Sequence, residues 1–147
     1  MKSAAIKLHH AVPPGTRLDN AAATSTSIDL ADYPGAKGVL WVYGLGATDV
    51  APAVMKIQEA DARASATSLT TPTDLHDVVT KPGTGSDNGL FGVFVPLDKA
   101  RKRYQQAAFT AGNGTAGTFV SVLAIVIGGD HDFDATSFGL TSLEQAA

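Results

Sequence analysis

Residues 89–127 read GLFGVFVPLDKARKRYQQAAFTAGNGTAGTFVSVLAIVI, and their reading decides the fold. Three apolar runs are separated by a basic elbow and a glycine-rich elbow. Short runs rich in Val, Ile, Phe and Thr, punctuated by Gly, are the sequence form of antiparallel strands. From Gly89 to Leu97 the alternation puts Phe91, Val93, Val95 and Leu97 on one face. Tyr104 to Thr110 and Thr115 to Ile127 are expected to form a further strand pair around AGNGTAG.

Inside that stretch, Gly112-Asn113-Gly114-Thr115-Ala116-Gly117 fits the dinucleotide fingerprint G-x-G-x-x-G. The fingerprint works only where a helix follows, because the pyrophosphate sits on the helix N-terminus. Here Thr118, Phe119, Val120, Ser121 and Val122 follow, which are mostly poor helix formers. The competing reading is a hairpin turn in which Asn113-Gly114 supplies positive φ angles. The residues favour the hairpin and speak against a nucleotide loop.

Outward from this stretch, Gly38 to Gly44 (GVLWVYG) reads as a strand with Val39, Trp41 and Tyr43 on one face and Leu40 and Val42 on the other. With both faces apolar it is expected at the centre of a sheet, with Trp41 in the core. Asp49 to Ala64 carries helix formers behind Asp49 and Pro52, but Met55, Ile57 and Glu59 alternate with Val54, Lys56 and Gln58, which favours a strand. Ala4 to Val12 reads as an edge strand or arm ending at the breaker Pro13-Pro14-Gly15, and Thr24 to Leu30 is β-prone before the turn Asp32-Tyr33-Pro34-Gly35. Ser65 to Asn88 is expected to be a long loop with one short apolar piece, Leu75 to Val79. After Gly128-Gly129 the chain is acidic and polar except for Phe133, Phe138, Leu140 and Leu143, as in a disordered end or an arm packing on a neighbouring subunit.

The sum is seven or eight short strands without a long helix, in a chain of 147 residues with 15 Gly and 7 Pro. That predicts one all-β domain, an antiparallel β-sandwich of jelly-roll-like or Ig-like type. Residues 1–15 are expected to be an N-terminal arm, 16–128 the sandwich and 129–147 a C-terminal tail.

The chemistry-bearing residues are few. With no cysteine, thiolate chemistry and disulfides are excluded. No uninterrupted apolar segment opens the chain, so a signal peptide is not expected, and the run from Phe119 to Ile127 is about half the length of a membrane-spanning helix. The formal net charge of −3 gives no reason to expect nucleic acid as a partner. Lys81-Pro82-Gly83-Thr84-Gly85-Ser86 lacks the ending of a phosphate loop, and the sequon at Asn113-Gly114-Thr115 matters only in a secreted chain. Lys99, Arg101, Lys102 and Arg103 read as a solvated elbow or as salt-bridge donors to an acidic partner surface. His9-His10 and the aspartates Asp130, Asp132 and Asp134 are the places where a cation could be held, but their spacing matches no known calcium loop. No nucleophile signature is present, so neither catalysis nor a cofactor is expected.

The segments Val54-Met55-Lys56-Ile57-Gln58-Glu59-Ala60-Asp61, Leu90 to Val95, Arg101-Lys102-Arg103-Tyr104 and Thr110 to Thr118 together resemble small virion structural proteins of tailed bacteriophages. In those a K-I-Q-E-S-D strand precedes an R-K-R-Y elbow and a glycine-rich hairpin. The resemblance covers residues 38–127; the chain departs from it at Ala60, where Ser is expected, and in its polar tail after Gly128. It implies a capsid decoration (cement) protein that is a homo-oligomer, as in a trimer. Such a protein is made in the host cytoplasm and sits on the virion surface against the major capsid protein, with no nucleic-acid or membrane partner. The implied contacts are salt bridges from Lys99, Arg101, Lys102 and Arg103, docking of the arm through Ile6, Leu8 and His10, and apolar anchoring by Phe133 and Phe138. Two alternatives are a neck, tail or head-fibre component and a carbohydrate- or calcium-binding sandwich module. The last would need Trp41 exposed and the three aspartates on a cation.

Overall fold

The computed structural model describes residues 6–17, 20–45, 52–79, 89–110, 112, 118–128 and 139–147. In chain order the strands are β1 (Ile6–Arg17), β2 (Ala22–Thr24), β3 (Ile28–Asp29), β4 (Gly38–Leu45), β5 (Val54–Ala60), β6 (Ala62–Ser65), β7 (Ser68–Thr70), β8 (Thr73–Asp77), β9 (Leu90–Pro96), β10 (Tyr104–Thr110), β11 (Thr118–Ile127) and β12 (Ser142–Gln145). A 3-10 turn, Leu30–Asp32, follows β3. No α-helix occurs among the described residues.

The strands build an all-β sandwich of two five-stranded sheets. One sheet (A) runs β1-β11-β4-β9-β12; the other (B) runs β2-β10-β5-β8, with β3 also pairing β10. A third, two-stranded piece, β6-β7, extends the β5–β8 hairpin. Period-two alternation then sorts the residues. Val39, Trp41, Tyr43 and Leu45 of β4, Phe91, Val93 and Val95 of β9, and Val120, Val122, Ala124 and Val126 of β11 face Met55, Ile57, Ala107, Phe109 and Ile28 of sheet B. Trp41, Tyr43, Met55 and Ile57 are fully buried in this core. Burying each such side chain contributes roughly 1.5–3 kcal/mol. Tyr43 keeps its hydroxyl satisfied by donating to the Lys56 carbonyl at 3.0 Å, and burial pushes its pKa well above that of an ordinary tyrosine.

β4 is the central strand of sheet A, as its two apolar faces predicted. The segment read as a strand by alternation from Val54 is β5. Four expectations are corrected. First, β10 and β11 do not form a hairpin: β10 belongs to sheet B and β11 to sheet A, so the chain changes sheet between them. The turn residues 113–117 lie outside the described residues, but a strand beginning at Thr118 leaves no helix for a nucleotide to sit on. Second, Pro13-Pro14-Gly15 does not end β1. The strand passes through it, with register shifts between His10 and Val12 and between Val12 and Gly15. Proline is tolerated because β1 is an edge strand, where a missing N–H breaks no ladder. Third, the long polar loop contains β7 and β8, and β8 pairs with β5 from Thr73 to Asp77. Its polar residues face solvent at a sheet edge, so little apolar signal was needed. Fourth, part of the C-terminal tail is a strand of this chain's own sheet. β12 pairs parallel with β9, Ser142 opposite Phe91 through Gln145 opposite Phe94.

Gly92 makes room for that last strand. A Cβ at this position would lie 2.6 Å from Leu140 Cδ1, 2.9 Å from Leu143 Cδ1 and 3.4 Å from Leu40 Cδ1. Around the notch, Thr141 N–H donates to Leu90 O and Ala146 N–H to Phe94 O, and Ala146 is buried in the core. Glu144 Oε2 lies 2.8 Å from His76 Nε2 and accepts from Val79 N–H at 3.1 Å, tying the edge of sheet A to that of sheet B.

Candidate functional site

Two surfaces carry the residues singled out from sequence. The first is the outer face of sheet A. Leu40 and Val42 of β4 point away from the main core, and Leu123, Ile125 and Ile127 of β11 with Phe94 of β9 lie beside them. Leu140 and Leu143 cover the β9 side of this face. On the β1 side, Leu8 is paired with Ile125 and is 70% exposed, while Ile6 and His10 stand in register opposite Ile127 and Leu123. Leu90, at the opposite edge of the face, is 41% exposed. A solvated antiparallel sheet normally alternates apolar-in with polar-out. Sheet A is apolar on both sides, and its outer side is open at Leu8.

The second surface is the basic elbow between β9 and β10, where the chain crosses from one sheet to the other. Three of its four cations are engaged within the chain. Arg101 Nε donates to Pro96 O at 3.1 Å and its NH2 to Ala147 O at 2.8 Å. Lys102 donates its backbone N–H to Glu59 Oε2 and its Nζ to Thr73 Oγ1. Arg103 forks onto Asp29, Nε to Oδ1 at 2.9 Å and NH2 to Oδ2 at 2.7 Å. Lys99 is exposed. These hydrogen bonds hold the elbow in shape, a use that a run of basic residues does not reveal in sequence.

Asp29 is the hub of this corner. Its carboxylate also accepts from Ala31 N–H, capping the 3-10 turn at 3.0 Å. The hydrogen bond from Arg103 holds its pKa below the usual carboxylate range, against the opposing effect of burial. The aromatic ring of Tyr104 carries two guanidinium groups, Arg63 at 4.9 Å and Arg103 at 5.0 Å from its centroid. Arg63 NH1 also donates to Ser27 Oγ at 3.1 Å. Sequence reading missed Arg63, Ser27 and Asp29; only the adjacency of Arg103 and Tyr104 was visible.

A second carboxylate, Asp74 on β8, is held below its usual pKa by Lys56 Nζ at 2.9 Å and Gln58 Nε2 at 2.8 Å. Two surface recesses are present among the described residues. One, of about 390 Å³, lies at Asp32 to Ala36 beside Val126 and Gly128; the other, of about 370 Å³, lies on sheet B around Lys56, Ala108 and Thr110. Neither lining contains a histidine or more than one carboxylate. No group of three or more His, Asp or Glu able to share a metal ion occurs among the described residues. No helix among them is long and apolar enough to cross a membrane.

Trp41 is fully buried, so it is not available to a sugar. Asp130, Asp132, Asp134, Phe133 and Phe138 lie outside the described residues. No protein-family model matches the chain, and no curated protein matches it.

Proposed function

We propose that this chain is a capsid decoration protein of a tailed bacteriophage, a non-catalytic sandwich that binds the outer surface of the major capsid protein lattice and stabilises the head. The observation that carries the reading is the outer face of sheet A, where the exposed Leu8 lies beside half-buried Ile125 and Leu123, at the edge of an apolar layer in which Leu40 is covered. An apolar edge of this kind, with Leu8 exposed beside half-buried leucine and isoleucine, supports a protein–protein contact. The partner it fits is an uncharged, apolar strip on the capsid subunit. Lattice reinforcement needs many copies of a modest interface, so repetition supplies what each contact lacks in affinity. A closed homo-oligomer, taken here as a trimer, would present several such faces at once to neighbouring capsid subunits.

Adding purified protein to undecorated heads tests the reading. Saturable binding at a copy number matching the lattice, with a raised thermal disruption temperature of the heads, is the expected result. Binding of only a few copies per particle would indicate a neck or tail component instead, and no binding would sink the proposal.

A further inference from the structure

We infer that the corner formed by Arg63, Tyr104 and Arg103 on sheet B is a second docking site, built to take an acidic side chain of a protein partner. Naming that partner as an acidic region of the capsid subunit rests on the function proposed above; the binding chemistry itself does not.

The corner is preorganised. Tyr104 is half-buried on β10, and both guanidinium groups lie against its ring. Arg103 is fixed by its fork onto Asp29. Arg63 is fixed by Ser27 Oγ, on a strand of the β6–β7 hairpin, and is exposed. Among the described residues Arg63 has no carboxylate in ion-pair contact. Its planar fork has five N–H donors, of which Ser27 Oγ takes one, and the remainder match a carboxylate geometrically. Asp29 and, more remotely, Asp32 balance the charge of the two guanidinium groups, so what the corner offers an acidic group is the unused donors of the exposed Arg63 rather than an excess of charge, in a chain whose net charge is −3. That overall charge disfavours a polyphosphate and leaves an isolated acidic side chain as the better fit. Tyr and Arg held rigidly at a surface are also the residue types that dominate protein-binding energy.

The test titrates the full chain with a hexaglutamate peptide at low salt, following backbone amide NMR shifts, beside a mixed-sequence duplex DNA control. Shifts centred on Ser27, Arg63, Arg103 and Tyr104 are expected. Arg63→Ala should weaken binding about tenfold, the worth of one charge-assisted fork. Arg63→Lys, which keeps the charge and loses the fork, should remain at least about threefold weaker than wild type. Lys99→Ala removes the same charge and should leave binding within about twofold. Equal losses from Arg63→Ala and Lys99→Ala would mean a diffuse positive field and overturn the inference. So would an absence of shifts up to about 10 mM peptide, well beyond the weakest affinity of interest, or tighter binding of DNA through the same residues. Undecorated heads form a separate arm. Heads that bind wild type and Arg63→Ala equally sink the corner but not the decoration reading, whereas Arg63-dependent peptide binding without head binding does the reverse.

Discussion

Gly92→Ala should loosen the C-terminal strand and leave the rest of the sandwich in place. Apolar carbons settle at about 3.5–4.0 Å. A methyl at Gly92 would meet Leu140 Cδ1 at 2.6 Å and Leu143 Cδ1 at 2.9 Å, so those side chains must retreat by about 0.9 and 0.6 Å. Overpacking of this size costs about 1–3 kcal/mol. Restricting the unfolded chain by replacing glycine returns about 0.4–1 kcal/mol, so the clash wins and a net loss of about 1–2 kcal/mol is expected. The ceiling is release of the strand, which exposes Leu140, Leu143 and Ala146 and forfeits about 4 kcal/mol of burial. Gly92→Val should approach it. Urea unfolding with an unchanged m-value measures the loss. Hydrogen exchange locates it: the amides of Thr141, Ala146 and Val79, which donate to Leu90 O, Phe94 O and Glu144, should lose protection first. A Gly92→Ala protein as stable as wild type, or one whose protection falls evenly across both sheets, would refute the reasoning.

Three further outcomes follow from the same geometry. Because the folded-state pKa of Asp29 is depressed by Arg103, the stability it contributes is complete above about pH 4, the ordinary carboxylate value, and is lost as pH falls through its lower folded value. Arg103→Ala should therefore be less stable at neutral pH and show a flatter decline in acid, checked by thermal melts from about pH 2 to 7; an unchanged acid slope would contradict the pairing. Gln105, fully buried with neither side-chain nitrogen nor oxygen hydrogen-bonded among the described residues, should gain about 1–2 kcal/mol on replacement by Leu in chemical denaturation, and a loss would show that the amide is satisfied. Leu8→Asp should shift stability by no more than about 0.5 kcal/mol while abolishing capsid binding in a head-pelleting assay; undiminished binding would remove the outer face of sheet A from the interface.

What could be read from sequence follows from where each strand lies. Gly38 to Leu45 and Leu90 to Pro96 announced themselves because a central strand is apolar on both faces or alternates cleanly. The partner of β10 was misjudged because adjacency along the chain resembles a hairpin, whereas β11, apolar on both faces, belongs between β1 and β4. β12 gave almost no signal. Its sequence, SLEQ, half-buries one leucine, and its place depends on a notch at Gly92 fifty residues earlier. The Arg63–Tyr104 contact was likewise hidden, since nothing local couples positions forty-one residues apart. The elbow was visible as charge, but its internal use required Asp29, Glu59 and Pro96 to be brought to it.

The parallel seating of β12 on β9 also sets a timetable for biosynthesis. Pro96 leaves the ribosome fifty residues ahead of Ala146, an interval of roughly 3–10 s at ordinary translation speed. Throughout it the edge of β9 is bare, and for its first part, until Ile127 has followed, β4 also lacks β11 on its other side. β1 waits longer, since its partner begins only at Thr118. Sheet A is therefore assembled late and nearly all at once, and each nascent chain spends seconds as an open template for its neighbours. The yield of correctly folded protein should depend on how quickly β12 follows β9, and slowing translation between them should lower it.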